Sequence, residues 1–194
     1  MAEFTDQPAK RNVAVVGGGI VGLCLANTLA DRGVSLWCFE QGTVGGGQSG
    51  GVTRIFRHSH ERPRLVELAL RARSSWTNLE QRLGERLIGD EGVLILTKED
   101  EASRLKQLGV SVETLPWTTA LTRMPFGQLG EGEPQIALEK DGGAIRARVA
   151  ISALHQASSQ SMIGAEVQGI EQHGSGATVF ASDGIYEVDE VFVT

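Results

Sequence analysis

Residues 12–22 read NVAVVGGGIVG. A short valine-rich run that ends in three glycines is typical of a buried parallel strand that enters a tight turn. Residues 20–31 are small residues and good helix formers, and Gly33 stands where a glycine often ends a helix. A second apolar run, 34–39, ends in Glu40. The order of strand, glycine turn, helix and strand predicts a right-handed βαβ unit.

Gly17, Gly19 and Gly22 form the pattern GxGxxG, and Glu40 follows at about the 20-residue spacing seen in dinucleotide-binding folds. Gly17 would allow the turn, Gly19 would let the backbone approach a pyrophosphate, and Gly22 would let helix and strand pack closely. The helix N-terminus would offer N–H groups and a positive dipole to the phosphates. The Glu40 carboxylate would bind the adenosine ribose and repel a 2′-phosphate, which disfavours NADP. NAD and FAD share this pattern, so these residues leave both open.

Composition excludes several classes of function. The 194 residues are 41% hydrophobic and 22% charged, with a net charge of −6, as in ordinary soluble chains. No basic stripe with interleaved aromatic residues occurs, which disfavours nucleic acid as a partner. No apolar run approaches the roughly 20 residues of a membrane helix, so we predict a cytoplasmic protein without a membrane partner. Cys24 and Cys38 lie in apolar runs and are interpreted as structural thiols, and the four histidines form no metal-ligand pattern.

The rest of the chain alternates between helical and strand patterns. A loop at 42–51 contains six glycines, and a long amphipathic helix is predicted from Pro63 to Leu83, with Gly84 ending it. Further predictions are a strand at 92–97, a helix at 99–109, a strand at 110–115, loops and short strands at 115–139, a helix at 145–156, a β-ribbon of 165–172, 177–181 and 185–188, and a strand at 190–194.

Four sequence blocks follow Glu40 in a characteristic order. The loop at 45–51 precedes TRIFRH at 53–58, then LALR at 68–71 with Trp76, then EGVL at 91–94. In this order the blocks resemble the sarcosine oxidase-like branch of the D-amino acid oxidase superfamily. The later segments 142–145, 165–167 and 189–194 also resemble that branch, so the resemblance covers nearly the whole chain.

The resemblance implies an FAD-dependent enzyme that oxidises a C–N bond in a small-molecule amine or amino acid, with secondary or cyclic amino acids expected. Hydride would pass from the carbon beside the nitrogen to flavin N5, and the electrons would go to O2 as hydrogen peroxide. At matching positions, Arg54 would lie against the flavin ring and Arg57 would hold a substrate carboxylate, and these two are the predicted catalytic residues. The predicted cofactor contacts are Gly17, Gly18, Gly19, Ile20, Val21, Gly22, Glu40, Gln41, Ser49, Thr53, Arg54 and Val167, and no metal is expected.

The fold expected from pattern and resemblance is α/β. It is a Rossmann-like FAD/NAD(P)-binding domain with part of an inserted α+β substrate domain. The first part of the FAD-binding domain would span 1–84, the partial substrate domain 85–143, and the continued FAD-binding domain 144–194. A strand at 190–194 is a poor place for such a domain to stop, so the chain is interpreted as the first part of a longer enzyme, or as one whose other half is a separate chain.

The sequence departs from the branch in three ways. Ser49-Gly50-Gly51 stands where sarcosine oxidase-like members have His-His-Gly, so a histidine beside the flavin is missing and a sarcosine-like substrate is placed in doubt. In that branch the flavin is attached covalently through a cysteine in the later half of the chain, which neither Cys24 nor Cys38 matches, so covalent attachment stays open. The later half of the family chain, with its O2-activating lysine, is also missing, so these residues alone are expected to bind FAD weakly and to be inactive.

Two other functions stay open at this point. One is a flavin-dependent amino-acid dehydrogenase that passes electrons to an acceptor other than O2. The other is a non-catalytic FAD-binding fragment or subunit that completes a partner's site.

His58 and His60 are expected at the surface or one step away from the ligands.

Overall fold

The computed structural model describes residues 11–97, 99–123 and 135–194. The chain divides into two compact units, Met1–Gly51 with Arg148–Thr194, and Val52–Ala147. The domain limits 1–84, 85–143 and 144–194 stay a prediction.

The helices and strands follow one another along the chain. They are β1 (Asn12–Val16), α1 (Ile20–Asp31), β2 (Ser35–Phe39), β3 (Arg54–Phe56), α2 (Pro63–Leu83), β4 (Val93–Thr97), α3 (Glu99–Gln107), β5 (Val112–Leu115), α4 (Trp117–Arg123), β6 (Gln135–Glu139), β7 (Gly143–Ile145), α5 (Ala147–Ala157), a 3₁₀ turn (Ser159–Ser161), β8 (Met162–Ile163), β9 (Val167–His173), β10 (Gly176–Ala181), β11 (Gly184–Val188) and β12 (Glu190–Val193).

A parallel sheet is the centre of the first unit. Its strand order is β12-β1-β2-β8, and β1 pairs in parallel with both β12 and β2. Successive residues of β1 enter two different cores: Ala14 packs with Phe39, whereas Val13 and Val15 pack with Ala26 of α1. Burial on both faces explains the unbroken valine-rich run of this strand. Because β1 and β2 are parallel, their carboxyl ends meet at one edge of the sheet.

A second, antiparallel sheet completes the first unit. Its order is β11-β10-β9, and Val179 and Val188 from it join the core that contains Phe39. The ring of Tyr186 meets that of Phe39 edge to face, with centroids 5.0 Å apart. Among the helices, the buried Asn27 side chain of α1 donates to the carbonyl of Leu154 in α5 at 3.0 Å.

The second unit contains a three-stranded antiparallel sheet of order β4-β6-β5. Val66 of α2 and Leu105 of α3 pack with Ala137 of β6 in its core. A separate short pair, β3 with β7, matches Phe56 to Gly143. Within the described residues, none of the helices combines the length and the apolarity that crossing a bilayer would need.

The expected fold class is confirmed, as are the bounds of α1 and α2. Three expectations were wrong in detail. The helix placed at 145–156 starts at Ala147, because Ile145 belongs to β7. The strand placed at 110–115 starts at Val112, because the N–H of Val110 still bonds the end of α3. The region 115–139 contains the helix α4, and its part 124–134 lies outside the described residues.

Candidate functional site

The turn between β1 and α1 is built on close backbone contacts. The N–H of Gly17 donates to the carbonyl of Phe39 at 2.8 Å, which fixes the turn against the end of β2. Gly17 has φ +115°, a conformation that favours glycine. A Cβ atom on Gly22 would overlap the carbonyl oxygen of Gly17. The first and third glycines of the pattern are therefore required by the backbone itself.

The N-terminus of α1 is presented at the carboxyl edge of the sheet. Gly19 caps it in an extended conformation, and the first-turn N–H groups have no partner within a helix. The Ser49 hydroxyl oxygen accepts the N–H of Ile20 at 2.9 Å, so the glycine loop is tied to this turn. Val21 is 62% exposed. The aligned N–H groups and the helix dipole make this a place for a phosphate.

Glu40 lies at the end of β2 beside the glycine turn. Its carboxylate accepts the N–H of Gly18 and the N–H of Gly42, each at 2.8 Å. A carboxylate has about four lone-pair sites, so two bonds leave capacity for ribose hydroxyls. Gln41 is exposed directly after it.

These groups fit the adenosine diphosphate part of a dinucleotide. Added Cβ atoms would stand 2.9 Å from the Cβ of Glu40 at Gly18 and 3.2 Å from the hydroxyl oxygen of Ser49 at Gly19. A side chain at Gly18 would thus collide with Glu40, and one at Gly19 would require the Ser49 hydroxyl to shift by a few tenths of an ångström. The structure brings together residues 17–22, Glu40, Gln41 and Ser49. Val167 begins β9 in the antiparallel sheet, where it pairs with Ala181.

Cys38 lies below the turn, with its sulfur 3.9 Å from the carbonyl oxygen of Gly17. Burial, and then the charge of Glu40, raise the pKa of this thiol to about 11. We expect Cys38 in a Cys24→Ser variant to react about 100-fold more slowly with a thiol reagent near pH 8 than the same thiol after unfolding. The neutral thiol is favoured only in the folded state, so stability should fall as the pH rises from the ordinary thiol value through about 11. Equal labelling rates before and after unfolding would contradict this placement.

The Glu40→Ala variant should bind FAD about 10- to 100-fold more weakly, because it loses charge-assisted hydrogen bonds worth about 1.5–3 kcal/mol. Quenching of flavin fluorescence measures the affinity. Glu171→Ala, which removes an exposed carboxylate of β9 in the same unit, is the matched control and should bind normally. Equal affinities for the two variants would remove Glu40 from the site.

In the second unit, the two predicted catalytic arginines lie at β3: Arg54 begins the strand and Arg57 directly follows it. Thr53, Arg54 and Arg57 are exposed, and Nη1 of Arg54 donates to the carbonyl of Thr53 at 2.8 Å. Across 11–97, 99–123 and 135–194, Arg57 forms no hydrogen bond or ion pair. Its guanidinium is available to a ligand.

Of the two places expected for His58, the surface is wrong, and a place one step away from the ligands stays a prediction. His58 is 2% exposed and lies against Glu139, which is 0% exposed, with Nδ1 of His58 and Oε1 of Glu139 2.7 Å apart. Glu139 was missed because it is far away in the sequence. The available signal was a carboxylate directly after the apolar residues 136–138 of a strand. Among the described residues, no group of three or more His, Cys, Asp or Glu side chains is placed to hold a metal ion.

The parallel sheet, the glycine turn at α1 and the strand-end carboxylate together define an α/β dinucleotide-binding domain. Comparison with known proteins narrows this class. The sequence profile of the FAD-dependent oxidoreductases, abbreviated DAO, matches residues 12–194, and the chain belongs to this family. FAD is the cofactor of the family, so the predicted cofactor is confirmed. The glycine pattern alone left both NAD and FAD open, and membership of this family selects FAD.

The relatives include amino-acid oxidases. The N-methyl-L-tryptophan oxidase of Yersinia pestis (strain Pestoides F) is 27% identical over 196 aligned residues, which cover 94% of this chain and 53% of the relative. NikD, an unusual amino acid oxidase essential for nikkomycin biosynthesis, is 28% identical with a TM-score of 0.78, over 95% of this chain and 51% of NikD. The glycine oxidase of Geobacillus kaustophilus is 26% identical with a TM-score of 0.76, over 95% and 55% of the two chains. The chain spans about half the length of the relatives it matches.

Proposed function

We propose that this chain is part of an FAD-dependent oxidase that acts on a C–N bond of an amino acid, and that secondary or cyclic amino acids are its substrates. The observation that carries the proposal is the exposed Arg57, which has no partner among the described residues, in a chain of an FAD-dependent family. A guanidinium without a protein partner is suited to hold the carboxylate that distinguishes an amino acid from a simple amine.

The relatives support the substrate class. The name of the Yersinia relative refers to an N-methylated amino acid, which is a secondary amine. NikD and the Geobacillus protein are also named as oxidases of amino acids. All three are more than 25% identical to this chain, so the likeness extends beyond the fold.

In the proposed enzyme, residues 17–22, Glu40, Gln41 and Ser49 hold the adenosine diphosphate part of FAD. The backbone of Val167 contacts the adenine, and Thr53 and Arg54 contact the cofactor. Bound FAD would supply a hydride acceptor and a path for two electrons to O2, with hydrogen peroxide as product. Arg57 orients the substrate by binding its carboxylate through two parallel N–H donors. The positive charge of Arg54 favours electron uptake at the cofactor.

The rest of the site would come from sequence outside these residues, either in a longer chain or in a second one. The proposal places the enzyme in the cytoplasm, where a reduced thiol such as Cys38 persists. O2 is the proposed acceptor.

The test is a substrate panel with the flavin-loaded full-length protein. Oxygen consumption and peroxide are measured with proline, N-methyl amino acids and the corresponding amines without a carboxylate. We expect peroxide from at least one of the amino acids, and turnover at least about 100-fold lower with its carboxylate-free counterpart. Turnover with an artificial electron acceptor but none with O2 would identify a dehydrogenase instead, and turnover with neither would overturn the proposal.

A further inference from the structure

The second unit contains a buried pair of side chains, the imidazole of His58 and the carboxylate of Glu139. Neither has a role in the site described above. Oε1 of Glu139 accepts the backbone N–H of His58 at 2.6 Å and is 2.7 Å from Nδ1 of the same residue. Oε2 of Glu139 accepts the backbone N–H of Ser59 at 3.1 Å. One carboxylate therefore binds two successive peptide N–H groups and a side chain.

The protonation of this pair follows from its contacts. Burial alone would raise the pKa of Glu139, but the hydrogen bonds from the ring and backbone of His58 and from the backbone of Ser59 outweigh it, so the pKa lies below its ordinary value. An ionised carboxylate only accepts hydrogen bonds, so Nδ1 of His58 must carry the proton that faces it. The resulting stability is present at neutral pH and is lost as the pH falls through the lowered pKa of Glu139.

The pair fixes the direction of the side chains before it. The rings of Phe56 and His58 meet at a right angle with centroids 5.0 Å apart, and both side chains are buried. Exposed and buried side chains alternate from Ile55 to His58, as they do where successive side chains point to opposite sides of the chain. Holding residues 56 and 58 inward turns Ile55 and Arg57 outward, and both are exposed. The backbone on the carboxyl side of Arg57 is held by Glu139, and the ring before it is held by His58.

We propose that Glu139 and His58 are positioning residues that hold the Arg57 guanidinium where it binds the substrate carboxylate. This inference rests on the proposed function, because it assigns Arg57 to that carboxylate. A loss of positioning of about 1 Å costs on the order of 100-fold in rate when a binding group orients the reactant. The loss would be confined to substrates that carry a carboxylate.

A purely structural role predicts a different result. Loss of a buried hydrogen-bond acceptor lowers stability and flavin content whichever substrate is used. It would not change the ratio of kcat/KM between an amino acid and the same amine without its carboxylate. That ratio, measured per bound flavin, is the readout that separates positioning from packing.

The experiment uses Glu139→Gln in the flavin-loaded full-length protein, because the amide keeps the shape but cannot accept on both sides. We expect kcat/KM for the amino acid to fall about 10- to 100-fold, and that for the carboxylate-free amine to change less than about 3-fold. Glu80→Gln is the matched control, since Glu80 also accepts two backbone N–H groups, those of Leu87 and Ile88, each at 2.8 Å, in the same unit. It should lower the thermal midpoint without changing the ratio.

Two histidine variants test the same proposal in case the Glu139→Gln protein does not fold. His58→Asn retains a hydrogen-bond donor near the position of Nδ1 and should keep most of the preference for the substrate with a carboxylate. His58→Phe keeps the packing but has no such donor, and should lose this preference. In an Arg57→Ala background, Glu139→Gln should have no further effect on the ratio.

The outcomes separate the two proposals. If the unaltered enzyme does not prefer the carboxylate-bearing substrate, the proposed function fails and this inference fails with it. If the unaltered enzyme discriminates and the Glu139 and His58 variants discriminate equally well, only the positioning role is overturned.

Discussion

The Gly22→Ala variant should lose FAD binding and be less stable than the unaltered protein by about 3 kcal/mol or more. A Cβ at this position would overlap the carbonyl oxygen of Gly17 and stand 2.8 Å from the hydroxyl oxygen of Thr194. The carbonyl oxygen of Gly17 belongs to the backbone, so it cannot rotate aside as the end of a side chain can. The helix would have to move away from β1, which displaces the first-turn N–H groups from the phosphate position.

The sign of the change in stability distinguishes the effect of tertiary packing from that of helix propensity. Alanine is favoured over glycine inside a helix by about 1 kcal/mol, so an α1 packed without a close contact would be stabilised by the change. Thermal unfolding should instead show a midpoint lower by about 6–12 °C for a chain of this size. Gly164→Ala is the control, because nothing lies within 4 Å of an added Cβ there and its φ is not positive. A Gly22→Ala protein that binds FAD normally would contradict the close contact.

The Arg57→Ala variant should lower kcat/KM for an amino acid about 100- to 1000-fold, the equivalent of about 3–4 kcal/mol. Under the proposed function, the change removes a paired charge and two parallel hydrogen bonds from the substrate carboxylate. Arg57→Lys should recover only part of the loss, because an ammonium is a point charge without the planar fork. Flavin content should not change, since Arg57 is assigned to the substrate.

Steady-state kinetics with the amino acid and with its carboxylate-free amine measure the effect. Arg64→Ala, which removes another exposed arginine seven residues further on, is the matched control and should behave like the unaltered enzyme. If the two alanine variants lose the same small amount of activity, Arg57 does not bind the carboxylate.

The glycine turn, the strand-end acid and the long helix α2 could be predicted because their signals are local. The turn at Gly17 and the acid at residue 40 follow from one short motif and its spacing, and α2 shows apolar spacing over its whole length, with Pro63 and Gly84 at its ends. The bond from Ile20 to Ser49 spans 29 residues and was anticipated only as a shared cofactor contact. The resemblance, rather than the periodicity, supplied that part of the site.

The missed elements depend on long-range pairing. The strands β3 and β7 have only three residues each, which is too short for a periodic pattern, and they pair across a large separation in the sequence. His58 and Glu139 are 81 residues apart, and each is polar, so residue type alone favoured the surface for both. Their burial becomes favourable only when the fold brings the carboxylate to three N–H donors at once. A single sequence contains no local signal for a contact between two residues so far apart.

The most direct test of the account is an anaerobic titration of the flavin-loaded full-length protein with an N-methyl amino acid or proline. We expect the visible flavin absorbance to bleach in the absence of O2 and to return on admission of O2, with one hydrogen peroxide formed for each flavin reoxidised. A protein that binds no flavin, or whose bound flavin keeps its oxidised spectrum with every amino acid tried, would contradict the proposal that this chain is part of an amino-acid oxidase.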